Sequence, residues 1–268
     1  MVCELSGLLA KRGWNIISRS YQKKTRISLE DVHYGPISPG ESELKLLGDV
    51  RGKKILEVGC GGGQNAIVLA KWGAMSMGLD NSEEQIKYAK ELAKKIGVKA
   101  SFRVGDMEYL SAFSDRCFDI VLSSFAIGYV ESLGKTFQEI FRVLQREGLF
   151  VFAAVHPIAN RGRVVRYGKR RMWGIGNYFD RRRRIWTWKI DGEIAKFYGY
   201  HRTIGDYFNL LVSSGFLVEN VLEPEPFPLE RMTEAEIEKI PYFEEGFLKD
   251  YSLWKRIPYT ILFKVRKP

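Results

Sequence analysis

The densest chemical signal in the sequence is Glu57-Val58-Gly59-Cys60-Gly61-Gly62-Gly63. It leaves a short apolar run at 54–58 and opens a run with helical spacing at 64–72. Glycines in such a turn let the backbone bend tightly and let a ligand approach closely. The free N–H groups at the start of the next helix then present partial positive charge to an anion. Asp80 stands about twenty residues on, at the end of the next apolar run, where a carboxylate can accept from both hydroxyls of a ribose. Two ligand classes fit. A dinucleotide fingerprint reads Gly-x-Gly-x-x-Gly, whereas here the spacing is Gly-x-Gly-x-Gly with Gln64 in the next place. A nicotinamide-dependent oxidoreductase therefore stays open, with the spacing against it.

The elements that must position these residues alternate. Strands are expected at 54–58, 76–79, 100–104, 118–122 and 148–155, with helices at 64–72, 83–96 and 137–144. Asp80-Asn81-Ser82 offers a cap for the helix at 83–96, and Gly97 ends it. Alternation of this kind implies a parallel sheet covered by helices on both faces. Before it come a helical arm at 4–23, with Trp14 and Tyr21 on one face, a turn-rich connection at 31–41 and a short helix at 41–47. After it, 185–190 alternates and Asp191-Gly192 signals a hairpin. A helix at 203–214, strands at 216–223 and 259–266, and a short helical stretch around 233–249 complete the chain. The expectation is one α/β domain over 1–268: a cap (1–50), a core (51–156), an insert (157–202) and the last part of the sheet (203–268).

The acid, one residue, then Gly-x-Gly-x-Gly resembles the first motif of class I S-adenosylmethionine-dependent methyltransferases. Gly105-Asp106-Met107, Phe118-Asp119-Ile120-Val121 with Ser123-Ser124, and the segment running into 148–155 resemble later blocks of that family in the right order. Tyr200-His201-Arg202-Thr203 and Asp206-Tyr207 resemble it more weakly, and 157–199 carries no resemblance. The resemblance implies S-adenosylmethionine as cofactor and a Rossmann-like seven-stranded, mostly parallel sheet. The implied strand order is 3-2-1-4-5-7-6 with the seventh antiparallel, plus an N-terminal helical cap and an inserted antiparallel β segment. It implies that Gly59, Gly61 and Gly63 admit the methionine half. Glu57 would orient the loop or meet the ammonium through water. Asp80, with Asn81, would hold the ribose, Asp106 and Met107 the adenine. Ser123 would sit near the sulfonium, and Tyr21 would either close over the carboxylate or pack as a core aromatic of the cap.

The acceptor is less legible. Ser123-Ser124-Phe125-Ala126 stands where DNA and protein amide or amine methylators carry an Asn-Pro-Pro-Tyr-type motif, which disfavours that class. Neither Cys60 nor Cys117 is placed to attack a cytosine. Base candidates are His156 at the end of the fifth strand, His201 after the insert and His33 in the cap. A His–Pro turn, a helix cap and plain packing are the structural alternatives. Tyr34, Tyr129 and Tyr167 can line a pocket or pack.

Charge singles out the insert. The net charge is +10, and the segment 161–189 holds eleven cations against one acid, Asp180. The rest of the chain carries 31 of each sign. Aromatics are interleaved with these cations. Three readings stay open: steering of an anionic small substrate, binding of RNA, or a solvated hairpin. Composition excludes a disordered chain, and no apolar run is long enough for a membrane span. Glu4, Lys11 and Arg12 break up the first apolar patch, so no signal peptide is expected. Cys3, Cys60 and Cys117 are far apart and without a CxxC pair, so neither a disulfide framework nor a metal site is expected, and the default compartment is a reduced cytoplasm. The expected function is methyl transfer to a small-molecule, conceivably anionic acceptor. The alternative is an RNA methyltransferase or RNA-binding protein using 161–189.

Overall fold

A computed structural model describes residues 4–237, 240, 242 and 251–268. The chain enters through α1 (Glu4–Thr25) and α2 (Glu41–Leu44), then builds β1 (Lys54–Val58), α3 (Gln64–Lys71), β2 (Met75–Asp80), α4 (Glu83–Ile96), β3 (Ser101–Val104), β4 (Phe118–Ser124), α5 (Leu133–Val143) and β5 (Leu144–Val155). α4 begins and ends where its signals stand: Ser82 accepts from the Gln85 N–H, and Gly97 adopts the left-handed conformation. α5 starts four residues earlier than expected, because Leu133 continues the buried face of Phe137 and Ile140. β5 also starts early. Its register against β4 jumps from Phe118↔Leu144 to Ile120↔Leu149, so residues 145–148 loop out between the two paired stretches.

After β5 come α6 (Pro157–Arg161) and the insert strands β6 (Gly162–Tyr167), β7 (Arg170–Ile175), β8 (Arg184–Ile190) and β9 (Glu193–Gly199). α7 (Ile204–Ser213), β10 (Leu217–Leu222), α8 (Glu234–Ile237) and β11 (Thr260–Arg266) follow. The helical stretch expected at 233–249 coincides with α8 at its start; residues 238, 239, 241 and 243–250 lie outside the described residues, as does Cys3. The central sheet has the order β3-β2-β1-β4-β5-β11-β10. β11 runs antiparallel to both β5 and β10, and the other pairings are parallel. This is the order and polarity that the resemblance implied. Phe152 stacks on Phe263 with centroids 5.0 Å apart, and Phe137 and Phe150 pack beside them under α5 and α7.

The insert strands do not enter that sheet. They form two hairpins, β6–β7 and β8–β9, each bonded only within itself. The reason is geometric: β5 is already flanked by β4 and β11, so a strand leaving it finds no open edge. In β8–β9 the turn residues Asp191 and Gly192 have φ of 48° and 86°, the primed geometry that Asp-Gly favours. α1 lies on β9 with Ile17 and Phe197 fully buried between them, and Trp14 centred 5.1 Å from Phe197. Gly13 permits that approach, since a Cβ there would come within 2.7 Å of the Phe197 ring.

α7 opens with a capping box in which Thr203 and Asp206 bond each other's backbone. The Asp206 carboxylate also receives Arg181 from the insert. Thr203→Ala is expected to lower stability by about 1 kcal/mol, read as a shift in the urea midpoint with unchanged slope.

Candidate active site

The strand ends gather the chemistry. β1, β2, β3, β4 and β5 are parallel and finish at one edge of the sheet, where ligands bind in open α/β folds. Gly59 and Cys60 at the end of β1 donate to Leu79 O, at 2.7 and 3.0 Å, which ties the glycine loop to the end of β2. Gly59 has φ 71°, and a Cβ there would lie 2.1 Å from the Ala126 Cβ, so only glycine allows the loop after β4 to pack on it. Gly61, with φ 51°, differs: a Cβ there would meet nothing nearer than 3.9 Å, because this part of the loop faces a cavity.

Asp80 is held from both sides. Its Oδ2 accepts from Gly61 N and its Oδ1 from Ser82 N, both at 2.9 Å. A carboxylate accepts about four hydrogen bonds, so each oxygen retains capacity for a hydroxyl. Burial pushes its pKa up against these bonds. Glu57 is buried and accepts from Ala66 N of α3 at 3.1 Å. Desolvation carries its pKa from the ordinary 4.5 to about 8, outweighing hydrogen bonds from Asn65 and Ala66. One Asp106 oxygen accepts from Glu108 N at 2.9 Å and shapes the turn after β3.

Three cavities meet here. One of about 430 Å³ is lined by Gly59, Asp80, Asn81, Asp106 and Met107. One of about 90 Å³ is lined by Glu57, Gly59, Gly61, Tyr21 and His33. A third, of about 600 Å³, lies between the segment after β4, the end of β5 and the β8–β9 hairpin. Trp14 and Tyr129 line all three and form the partition between them. Tyr21 sits 4.9 Å from Trp14 and faces the small and the large cavity.

The remaining sequence candidates fall differently. Ser123 is fully buried, donates to Val58 O at 3.0 Å and lines none of these cavities; its side chain stitches β4 to β1. Ser124, one residue on, faces the small cavity and donates to His33 O at 2.8 Å. His156 is fully buried. Its Nδ1 accepts from Ile158 N as the cap of α6, so Nε2 carries the proton and donates to Glu223 Oε1 at 2.6 Å. Both ring nitrogens hold the fold, and the residue lines none of the three cavities. His201 does line the large cavity, with Nε2 2.8 Å from Tyr178 O and Nδ1 3.2 Å from Asn160 Oδ1. Burial lowers its pKa. His33 is buried beside the glycine loop with Nδ1 unpartnered, and burial lowers its pKa to about 4.

The large cavity has a one-sided wall. Lys24, Arg184, Lys189 and Arg202 line it, and no Asp or Glu does among the described residues. Arg202 escaped the sequence reading, although it stands in the 200–203 block, because charge was sought in the run 161–189. Within that run the structure separates the cations. Arg181 and Arg182 pair with Asp206 and Asp180. Arg183 covers the Tyr198 ring, Arg184 and Lys189 face the cavity, and Arg163, Arg166, Lys169 and Arg170 lie exposed on β6–β7. Among the described residues no cluster of three or more His, Cys, Asp or Glu is placed to hold a metal, and no helix is long and apolar enough to cross a membrane.

The fold and edge site define a nucleotide-binding α/β protein of the Rossmann type. Residues 56–152 match the family described as a methyltransferase domain. The chain is similar to the uncharacterized methyltransferase YbaJ of Bacillus subtilis, 36% identical over 109 residues, which is 41% of this chain and 43% of that protein. It is similar to the sterol 24-C-methyltransferase ERG6A of Gibberella zeae, 31% identical over 220 residues, 69% of this chain and 56% of that one. Its structure superposes on an S-adenosylmethionine-dependent methyltransferase from Mesorhizobium loti with a TM-score of 0.62 and 27% identity, covering 83% of this chain and 94% of the other. The chain spans about half the length of the two curated relatives. Residues 56–152 are thus a methyltransferase domain, set in the fold of the class I S-adenosylmethionine-dependent methyltransferases, whose methyl donor is S-adenosylmethionine. The residues present fit that cofactor: the glycine loop leaves space where a side chain would stand, and Asp80 keeps acceptor capacity beside it.

Glu57 gives a test of this geometry. The unfolded chain ionises it near 4.5, the folded chain near 8. Between these values the native state binds the extra proton, so stability falls as pH rises through the window, by up to about 1.4 kcal/mol per unit. Urea titrations from pH 5 to 8 should show a slope in wild type that Glu57→Gln reduces.

Proposed function

We propose that this chain transfers the methyl group of S-adenosylmethionine to a small molecule held in the 600 Å³ cavity. The observation that carries the reading is the shared wall: Trp14 and Tyr129 border both the cofactor-side cavities and the large one, and α1 and β8–β9 roof the latter. The bound cofactor supplies an electrophilic methyl on a sulfonium. The protein's part is then alignment and exclusion of water. In this reading Asp80, with Asn81, holds the ribose hydroxyls, and Asp106 and Met107 border the adenine. Gly59, Gly61 and Gly63 admit the methionine portion, Glu57 fixes the loop that receives it, and Tyr21 closes the small cavity from the cap. His201 is the base for an acceptor that must lose a proton. Its Nε2 donates to Tyr178 O, so Nδ1 is the nitrogen that takes the proton, once its 3.2 Å contact with Asn160 Oδ1 gives way to the acceptor. A wall with four cations and, among its described residues, no acid suits an acceptor that carries negative charge. The Gibberella relative is named for a sterol, which is a flat small molecule of the kind an aromatic cavity accommodates.

Titration with S-adenosylhomocysteine tests the cofactor half. Asp80→Ala should weaken it by roughly 2–4 kcal/mol through loss of two charge-assisted hydrogen bonds; unchanged affinity removes the ribose role. Transfer of labelled methyl into small molecules of a cell extract, but not into its RNA, supports the acceptor class.

One observation favours a second reading. The β6–β7 hairpin exposes Arg163, Arg166, Lys169 and Arg170 around Tyr167, itself 78% exposed. Were it an RNA contact, binding would fall steeply with salt and would be lost when those four cations are neutralised. Salt-independent or absent RNA binding leaves the hairpin a solvated arm.

A further inference from the structure

Arg161 and Arg184 meet at Asn160 in the wall of the large cavity, Arg202 lines the same cavity, and the hydrogen bonds of these guanidinium groups do not balance. Arg202 is clamped by Nη2, which donates to Val130 O at 2.6 Å and Glu131 O at 3.0 Å. Its guanidinium lies over the Tyr200 ring, 5.1 Å from the centroid. The clamp fixes its orientation and leaves Nη1 buried with no partner in a residue that lines the cavity. Arg161 follows Asn160 and precedes Gly162, both in the cavity wall. Its side chain is only 10% exposed, Nε and Nη2 are buried without partners, and the one carboxylate within reach, Asp180, is 3.9 Å from Nη1 and already bonded bidentately by Arg182. Arg184 reaches the same place from β8, donating to Asn160 O.

Leaving a buried guanidinium N–H unpaired costs on the order of 1–3 kcal/mol or more. One such donor, Arg202 Nη1, belongs to the cavity wall, whose described residues include no acid, and two more, on Arg161, lie behind it, an arrangement suited to a ligand that brings acceptor oxygens. The rest of that wall is aromatic: Trp14, Phe125, Trp186, Trp188, Trp254 and Tyr259. We infer that the end of the large cavity at Arg202 and Arg184, backed by Arg161, is an oxyanion subsite, and that the acceptor is a flat, largely apolar molecule carrying a carboxylate or phosphate group. This rests on the methyltransferase reading and names its substrate class. The oxyanion would receive Arg202 Nη1 and Arg184, while the flat body lies against the aromatic wall toward Tyr129 and the cofactor side. Guanidinium geometry matches both carboxylate and phosphate oxygens, so the experiment separates them.

The test is calorimetric titration of the full chain, saturated with S-adenosylhomocysteine, with 2-naphthoate, 2-naphthyl phosphate and the neutral 2-naphthamide. At least one anionic probe should bind at least tenfold more tightly than the amide, and which one binds better assigns the oxyanion. Arg202→Gln should weaken that probe at least tenfold, by a larger factor than it weakens S-adenosylhomocysteine. Arg184→Gln, at the exposed end of β8, should weaken it by a smaller factor and serves as the deciding variant if Arg202→Gln does not fold. Equal binding of amide and acids, no binding of either acid, or full retention of acid binding in the variants overturns the subsite. Failure of S-adenosylhomocysteine itself to bind overturns the methyltransferase reading instead, so the two outcomes are distinct.

Discussion

Asp80 joins the cofactor side of the molecule together. One carboxylate oxygen takes the Gly61 N–H of the loop after β1, and the other takes the Ser82 N–H at the cap of α4. Ser82 in turn donates to Asn15 of α1, whose amide also bonds Glu83 and Glu84. A single half-buried carboxylate thus fixes the glycine turn, the helix beside it and, through the Ser82 hydroxyl, the first helix of the cap. The cost is desolvation, visible in the raised pKa of Asp80 and still more in Glu57. Two acids in one buried pocket oppose each other's ionisation, which suits a site whose ligand brings hydroxyls and an ammonium.

The same economy governs the partition. Trp14 comes from the cap, Tyr129 from the segment after β4, and the two rings lie 5.9 Å apart edge to face. Arg202 grips the backbone immediately after Tyr129. One of the cations that line the large cavity therefore also sets the position of the wall between the cavities. Cap, β4 loop and insert are separate in sequence, yet each holds one side of the same junction.

The parallel core was legible because its signals are local. Continuous apolar strands, Ser82 and Gly97 around α4, and an acid before a spaced glycine run each announce themselves within a few residues. The strand order came with the family resemblance, not with the pattern. What stayed hidden depends on contacts distant in sequence. A serine at a strand end reads as a site residue, but Ser123 turns into the sheet and Ser124 turns out, a one-residue difference set by register. A histidine at the end of β5 reads as a base, but His156 is taken by Ile158 and Glu223, the latter 67 residues away. The charge run at 181–184 stands out by its sum, whereas the structure divides it by partner, and Arg202, which also lines the cavity, lies outside it.

The two hairpins share no backbone hydrogen bonds with the central sheet. The sheet is a continuous seven-stranded ladder, while β8–β9 has a ladder of its own and is held by aromatic contacts with α1 and Tyr129 and by a hydrogen bond from Ser20 to Glu193. Such a unit can open at a free energy well below that of global unfolding. Opening of the hairpin would widen the large cavity, which it borders, without disturbing the sheet or the loop bound to Asp80.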